Sequence, residues 1–342
     1  MITPTPKGLY CAAGDFYIDP WLPVERAVIT HAHGDHARPG SASYLAAKCG
    51  VPILQVRLGP EARIEGAGYG EIRDINGVKI SLHPAGHVLG SAQVRIEAHG
   101  EVWVVTGDYK LDPDPTCDPF EPVRCHTLVT ESTFGLPIYR WSTPREIFDG
   151  IDAWWRANAA AGRASVLFGY AFGKAQRILA SVDASIGPIV VHGAVDVLNR
   201  GYRECGVKLP ETRMAGELGK RGRGTSRQEN EDFGGALVVA PPSAQNSPWL
   251  KRFGDYSDAF ASGWMAIRGA RRRKAVDQGF VLSDHADWPG LNRAIEATQA
   301  QRVYVTHGHI APLVQWLNER GIDAHAMKTE FEGEAGAEEA GA

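Results

Sequence analysis

Residues 27–40 read "AVITHAHGDHARPG" and set His31, His33, Asp35 and His36 within six positions. The chain has 12 histidines in 342 residues, so three this close together need a common cause. Crowded imidazoles repel once protonated, and a shared metal ion removes that penalty. In an extended segment His31 and His33 point the same way. A turn at Gly34 lets Asp35 and His36 face a second position. Four ligands on so short a stretch cannot all wrap one ion tetrahedrally, so the spacing suits two adjacent metals. Imidazole and carboxylate donors without thiolate fit Zn²⁺ best, with Mn²⁺ or Fe²⁺ as further candidates.

The same stretch opens a wider pattern. Apolar, β-branched runs end repeatedly in a residue able to bind metal or carry a proton. They are "AVITH" to His31, "VWVVTGD" to Asp108, "TLVTE" to Glu131, "GFVLSDH" to His285 and "RVYVTH" to His307. Such runs between turn formers predict buried strands. Strands of one sheet, ending on one side, would bring all five groups to a single rim. "HPAGHVLGSAQ" adds His87. His309 stays open, and His83, His99, His126, His192 and His325 read as ordinary histidines.

Between these runs the pattern changes. "STPREIFDGIDAWWRANAAAG" predicts a helix with Thr143 as N-cap, Pro144 at the first helical position, Glu146 closing a capping box and Gly162 as the stop. A strand, a glycine turn and a helix follow in "ASVLFGYAFGKAQRILASV", then strands in "PIVVHGA" and "GALVVAPPSA". This alternation predicts an α/β unit over 143–262, inserted into a first domain made of 1–142 and 263–328. "GELGKRGRGTSRQENEDFGG" reads as an exposed loop, and the acidic stretch 329–342 as a disordered tail. The fold class expected is mixed α/β.

Composition narrows the class further. The chain is 44% hydrophobic and 22% charged, as a soluble globular protein would be. Its first residues lack a signal-peptide pattern, and no apolar stretch approaches membrane-spanning length. Five scattered cysteines without a CxxC pair argue against a disulfide framework and for a reducing cytoplasm. The net charge of −4 leaves a nucleic-acid partner to local basic patches. The dense basic runs lie at 220–227 and 268–274. Lys110, Lys174 and Arg177 are further candidates for phosphate contact. Tyr139, Trp141 and Tyr170 are candidates for base stacking, with core packing the commoner fate of such residues.

HxHxDH followed by a lone His, a strand-end Asp and a late His resembles the metallo-β-lactamase fold, an αβ/βα sandwich with a dinuclear metal site. "TGDYK", "VTESTFG" and "FVLSDHAD" resemble motifs of its β-CASP nuclease branch, in which an inserted domain caps the site. "PTPKGLYCAAGDFYIDPW", "GDYKLDPDPTCDPFEPVRCHTLVTESTFGLPIYRW" and "VTHGHIAPLVQWLNERGI" are similar to the bacterial ligase-associated DNA exonucleases. The resemblance covers nearly the whole chain except the tail, and is faintest around 205–235. It implies one metal on His31, His33 and His87, and another on Asp35, His36 and His307, with Asp108 bridging. It implies Asp19 behind the ligand loop, with Asp15 as the alternative, and Glu131 with His285 as the branch's carboxylate–histidine pair. Gly34 stands where that family often has Ala.

The activity expected is hydrolysis of a phosphodiester by an activated water, leaving a 5′-phosphate on the released product. His285 would protonate the departing 3′-oxygen and Glu131 would hold its imidazole. Single-stranded DNA is the favoured substrate, in repair alongside a DNA ligase, with attack from the 5′ end. The alternatives are an RNA-processing nuclease of the same branch, a small-molecule metallohydrolase, and a non-catalytic nucleic-acid binder.

Overall fold

The computed structural model describes residues 1–215 and 233–331. It is a mixed α/β fold with three sheets and, among the described residues, seven α-helices. The chain forms two compact units, one from Met1–Arg140 with the chain from Asp284 onward, the other from Trp141–Ser283.

The first unit packs two sheets face to face. One runs, in spatial order, Ile2–Thr5, Gly8–Cys11, Phe16–Ile18, Arg26–Val28, Ser43–Ala47 and Ile64–Ala67. The other runs Asp323–Ala326, Arg302–Gly308, Thr127–Ser132, Glu101–Val105, Ala92–Ala98, Val78–Pro84 and Arg73–Ile75. Side chains alternate across a strand, and the sequence uses that period. Val105 and Val129 join Phe16, Ile18 and Val28 between the sheets. Their neighbours Val104 and Leu128 face outward, where Trp288, Ile295, Leu313 and Leu317 of helices Trp288–Thr298 and Ile310–Glu319 cover them. Among the described residues no helix is long and apolar enough to cross a membrane.

The second unit is built on six parallel strands, ordered Arg213–Met214, Ile189–Val191, Leu237–Ala240, Ala164–Phe168, Tyr256–Ala261 and Gln278–Phe280. Its inner strand Ala164–Phe168 is buried throughout, as a parallel strand covered on both faces must be. Ile151, Trp155 and Ile178 cover one face, with Leu250, Phe253 and Met265 on the other. Helix Pro144–Ala160 has the capping box read from the sequence, Thr143 accepting from the Glu146 amide and Glu146 from the Thr143 amide. The chain from 263 to 283, expected with the first domain, lies in this second unit. Gln278–Phe280 is its edge strand, and Phe280 and Leu282 enter its apolar cluster. Of the loop expected over 216–235, residues 216–232 fall outside the described residues.

One expectation is corrected outright. The five apolar runs do not share a sheet. "AVITH" belongs to the first sheet, "VWVVTGD", "TLVTE" and "RVYVTH" to the second, and "GFVLSDH" to the parallel sheet of the other unit. Most of the functional residues lie just beyond their strands, and loop geometry brings them together.

Candidate metal centre

The ligand loop leaves strand Arg26–Val28 and is fastened on several sides. The Ile29 amide donates to Leu45 O, and the Ala92 amide donates to Thr30 O at 2.7 Å. Amides of His36 and Ala37 both reach His33 O, closing the turn expected at Gly34. A Cβ at Gly34 would lie 2.8 Å from the Arg57 guanidinium. Glycine therefore leaves room for Arg57, whose Nε donates to Ala32 O at 3.3 Å. Gly107, at φ +57, sits where a Cβ would strike the Thr30 side chain at 2.6 Å. Only glycine allows the Asp108 loop to approach the ligand loop this closely.

Three overlapping donor groups result. His31, His33, His87 and Asp108 form one, His36, Asp108 and His307 the second, and Asp108, Glu131 and His285 the third. Asp108 belongs to all three. Its Oδ1 lies 3.0 Å from His307 Nε2. Its Oδ2 lies 3.4 Å from His31 Nε2, 3.6 Å from His36 Nε2 and 3.9 Å from His87 Nε2. Asp35 reaches the edge of the second group, with Oδ2 3.6 Å from His36 Nε2.

The outer nitrogen of four of these imidazoles is already committed. His36 Nδ1 donates to Asp19 Oδ2 at 2.8 Å, and His87 Nδ1 to Asp284 O at 2.6 Å. His31 Nδ1 contacts Thr30 Oγ1 at 3.1 Å, and Thr30 Oγ1 in turn donates to Asp19 Oδ2. His307 Nδ1 contacts Thr306 Oγ1, also at 3.1 Å. Fixing Nδ1–H in this way turns Nε2 inward as the free ligand atom. His33 instead brings its Nδ1 to the cluster, 3.0 Å from His87 Nε2. The Nε2 atoms of His31 and His36 are buried without a hydrogen-bond partner. Buried polar atoms are rarely left so, and a divalent cation answers both. The residues present fit two such ions.

Charge within the cluster is arranged to the same end. Burial, reinforced by His36, holds the pKa of His31 well below the usual histidine value, and burial with His285 does the same for His87. Asp108 is held well below the carboxylate range because His36, His285 and His307 outweigh its burial. Burial likewise opposes ionisation of Asp35, yet the neighbouring imidazoles, His36 foremost, bring it below its ordinary value. His36 moves the other way. Burial opposes its charge, but Asp108, Asp35 and Asp19 push it up to about 10. Metal-free protein therefore keeps His36 protonated at neutral pH, and a metal at its Nε2 must displace that proton. Loading at pH 7.5 should release about one proton from this site, and affinity there should rise as pH climbs toward 10. Calorimetry in buffers of differing ionisation enthalpy reads the proton directly, and a buffer-independent heat would contradict it.

Glu131 and His285 stand beside this cluster. His285 Nδ1 lies 3.0 and 2.9 Å from the two Glu131 oxygens. Glu131 is also gripped by the Tyr109 amide at 2.8 Å and the Thr133 amide at 3.3 Å. The carboxylate thus fixes the imidazole by Nδ1 and leaves Nε2 as the atom able to exchange a proton. Asp19, buried, serves Thr30 and His36 together, whereas Asp15 is exposed with Tyr10 and Arg26. His309 lies outside the donor groups and stacks on Tyr139 at 5.7 Å.

The expected phosphate contacts are corrected by burial. Lys110 is 1% exposed and pairs with Asp114 at 2.7 Å. Lys174 and Arg177, equally buried, donate to Leu282 O and Ser283 O at 3.0 and 2.6 Å. These cations hold backbone in place. Accordingly, Arg177→Met should destabilise the fold by about 2–4 kcal/mol and leave the salt dependence of nucleic-acid binding unchanged. A salt slope lower by about one unit would restore the phosphate reading. Of the basic runs, 220–227 lies outside the described residues. The other forms helix Arg268–Lys274, with Arg268 and Arg272 exposed and Lys274 Nζ 4.4 Å from the Phe260 ring centre.

Thr30, Thr306 and Phe331 were not anticipated. The first two carried a signal, since "TH" precedes both His31 and His307.

No family model matches the sequence. Over 323 residues the chain is 31% identical to a probable DNA ligase of Opitutus terrae, covering 94% of this chain and 30% of that protein. It is 33% identical over 125 residues to the endoribonuclease YSH1 of Saccharomyces cerevisiae, 35% of this chain and 16% of that protein. The chain thus spans under a third of the length of either relative. A protein of unknown function from Enterococcus faecalis shares the fold, with a TM-score of 0.59 at 13% identity over 90% of this chain and 80% of that one. Together, the two sequence relatives and the HxHxDH site support the metallo-β-lactamase/β-CASP nuclease family for this chain.

Proposed function

We propose that this chain is a two-metal phosphodiesterase acting on nucleic acid, and specifically a DNA exonuclease of the ligase-associated kind. The observation that carries this reading is the Glu131–His285 pair set against a double donor cluster through Asp108. A fixed acid beside the donor cluster suits a leaving alkoxide that needs a proton, as the 3′-oxygen of a phosphodiester does. The similarity to the endoribonuclease favours nucleic acid over a small ester.

Asp108 would bridge two ions, one held by His31, His33 and His87, the other by Asp35, His36 and His307. Divalent ions there, Zn²⁺ foremost and Mn²⁺ next, supply a water of lowered pKa and neutralise phosphate charge. The chain's own residues do the rest. Hydrolysis joins the water oxygen to phosphorus and breaks the P–O3′ bond, leaving a 5′-phosphate and a 3′-hydroxyl. His285 gives the 3′-oxygen its proton from Nε2, and Glu131, bonded to Nδ1, keeps the ring aimed until it does. Asp19, through His36 and Thr30, holds the ligand loop still.

DNA is favoured over RNA because the similarity to the probable DNA ligase runs along 94% of this chain. That likeness also supports work beside a ligase in DNA repair. The similarity to the endoribonuclease favours a second reading, RNA-end processing, over a third of the chain. Matched single-stranded DNA and RNA, labelled at either end and incubated with Zn²⁺ or Mn²⁺, separate the two. The proposal expects stepwise shortening of DNA, from its 5′ end, into products bearing 5′-phosphates. RNA cut with DNA spared would favour the second reading. Cutting of neither would return attention to small-molecule esters.

A further inference from the structure

The C-terminal stretch "EFEGEAGAEEAGA" has as its second residue one that its acidic, Gly/Ala-rich composition gives no reason to expect in a site. Phe331, the last described residue of the chain, lies flat on His36. The ring centres are 4.4 Å apart and the planes 11° from parallel. Its edge meets His307 at 5.6 Å and Trp21 at 5.7 Å, both near perpendicular. Trp21 is itself buried and tied by its indole N–H to Pro6 O. Met327, just past strand Asp323–Ala326, is buried and bonded through its amide to Val305 O, and anchors the segment that delivers Phe331.

These contacts fall selectively on the second donor group. Phe331 stacks on one face of His36, and the His31 ring centre lies 4.1 Å away, tilted by 41°. Asp19 fixes its Nδ1. With one face and one nitrogen committed, Nε2 is left toward Asp108 and Asp35. Phe331 has no donor atom and cannot coordinate anything. An aromatic face against a ligand imidazole fixes its orientation and displaces water from behind it.

Resting on the two-metal reading above, we infer that Phe331 is a positioning residue for the second metal site, and that the start of the C-terminal stretch belongs to the metal centre. The two sites should then respond differently to its loss. The test titrates Zn²⁺ into chelator-stripped protein against a chromophoric competitor, so that affinity and stoichiometry are read without activity. Wild type should bind two ions. Phe331→Ala should leave one site unchanged and weaken the other on the order of 10-fold. Phe331→Leu keeps apolar bulk without a flat face and should fall between, and Phe331→Tyr should restore the wild-type value. Because Phe331→Leu preserves the packing, it decides the matter if the alanine variant folds poorly. Equal weakening of both sites, or of neither, would overturn the inference while leaving the two-metal reading intact. Fewer than two ions on the wild type would overturn both.

Discussion

Asp108→Ala should lower phosphodiester hydrolysis on the order of 10⁴-fold or more and leave the purified protein without a full complement of metal. Asp108 is the one residue common to all three donor groups, with its two oxygens within 3.0–3.9 Å of four imidazole nitrogens. Removing it deletes a ligand from each ion and the carboxylate that does most to keep His36 charged. Asp108→Asn separates those effects, since the amide preserves shape and loses charge. Metal content by emission spectroscopy and turnover on labelled single strands should fall together in both variants. An Asp108→Ala protein that kept two ions and near-normal turnover would show that the cluster is organised around something else.

His285→Ala should behave differently. Its turnover should drop about 10²- to 10⁴-fold while metal content and KM stay near wild type. The ring lies at the edge of the cluster, and its Nδ1 is taken by Glu131, so on the proposed reading its loss removes a proton donor rather than a metal ligand. Glu131→Gln should cost less than His285→Ala, because the amide oxygen still accepts from Tyr109 N. A substrate with a better leaving group, such as a nitrophenyl phosphodiester, needs little protonation and should narrow the gap between His285→Ala and wild type. Equal losses on both substrates would contradict the acid role and point to a structural pair.

Much of this site was legible because its chemistry is written locally. His31, His33 and His36 share one loop, and the sequence period of two puts His31 and His33 on one side. Glu131 and His307 end strands of the type the β-branched runs predict. The capping box at Thr143 and Glu146 was equally local. What escaped was non-local. The five runs suggested one rim, but period alone cannot assign strands to sheets, and the site gathers loops from different ones. Lys110, Lys174 and Arg177 looked like phosphate contacts because charge is visible in a sequence and burial is not. Each turns inward to a carboxylate or a carbonyl. Residues 263–283 were assigned to the wrong side of a boundary because an edge strand announces no partner. Phe331 was hidden by its acidic neighbours, which pulled the whole stretch toward disorder.

If two ions, held by donors from separate segments around Asp108, make this chain a nuclease, activity should follow metal loading. Zn²⁺ or Mn²⁺ titrated into stripped protein, with cleavage of end-labelled single-stranded DNA followed in the same sample, reads this. Stripped protein should not cleave, one equivalent should restore little, and the rise should complete with the second. Full activity without metal, or two ions bound with no cleavage of any nucleic acid, would contradict it.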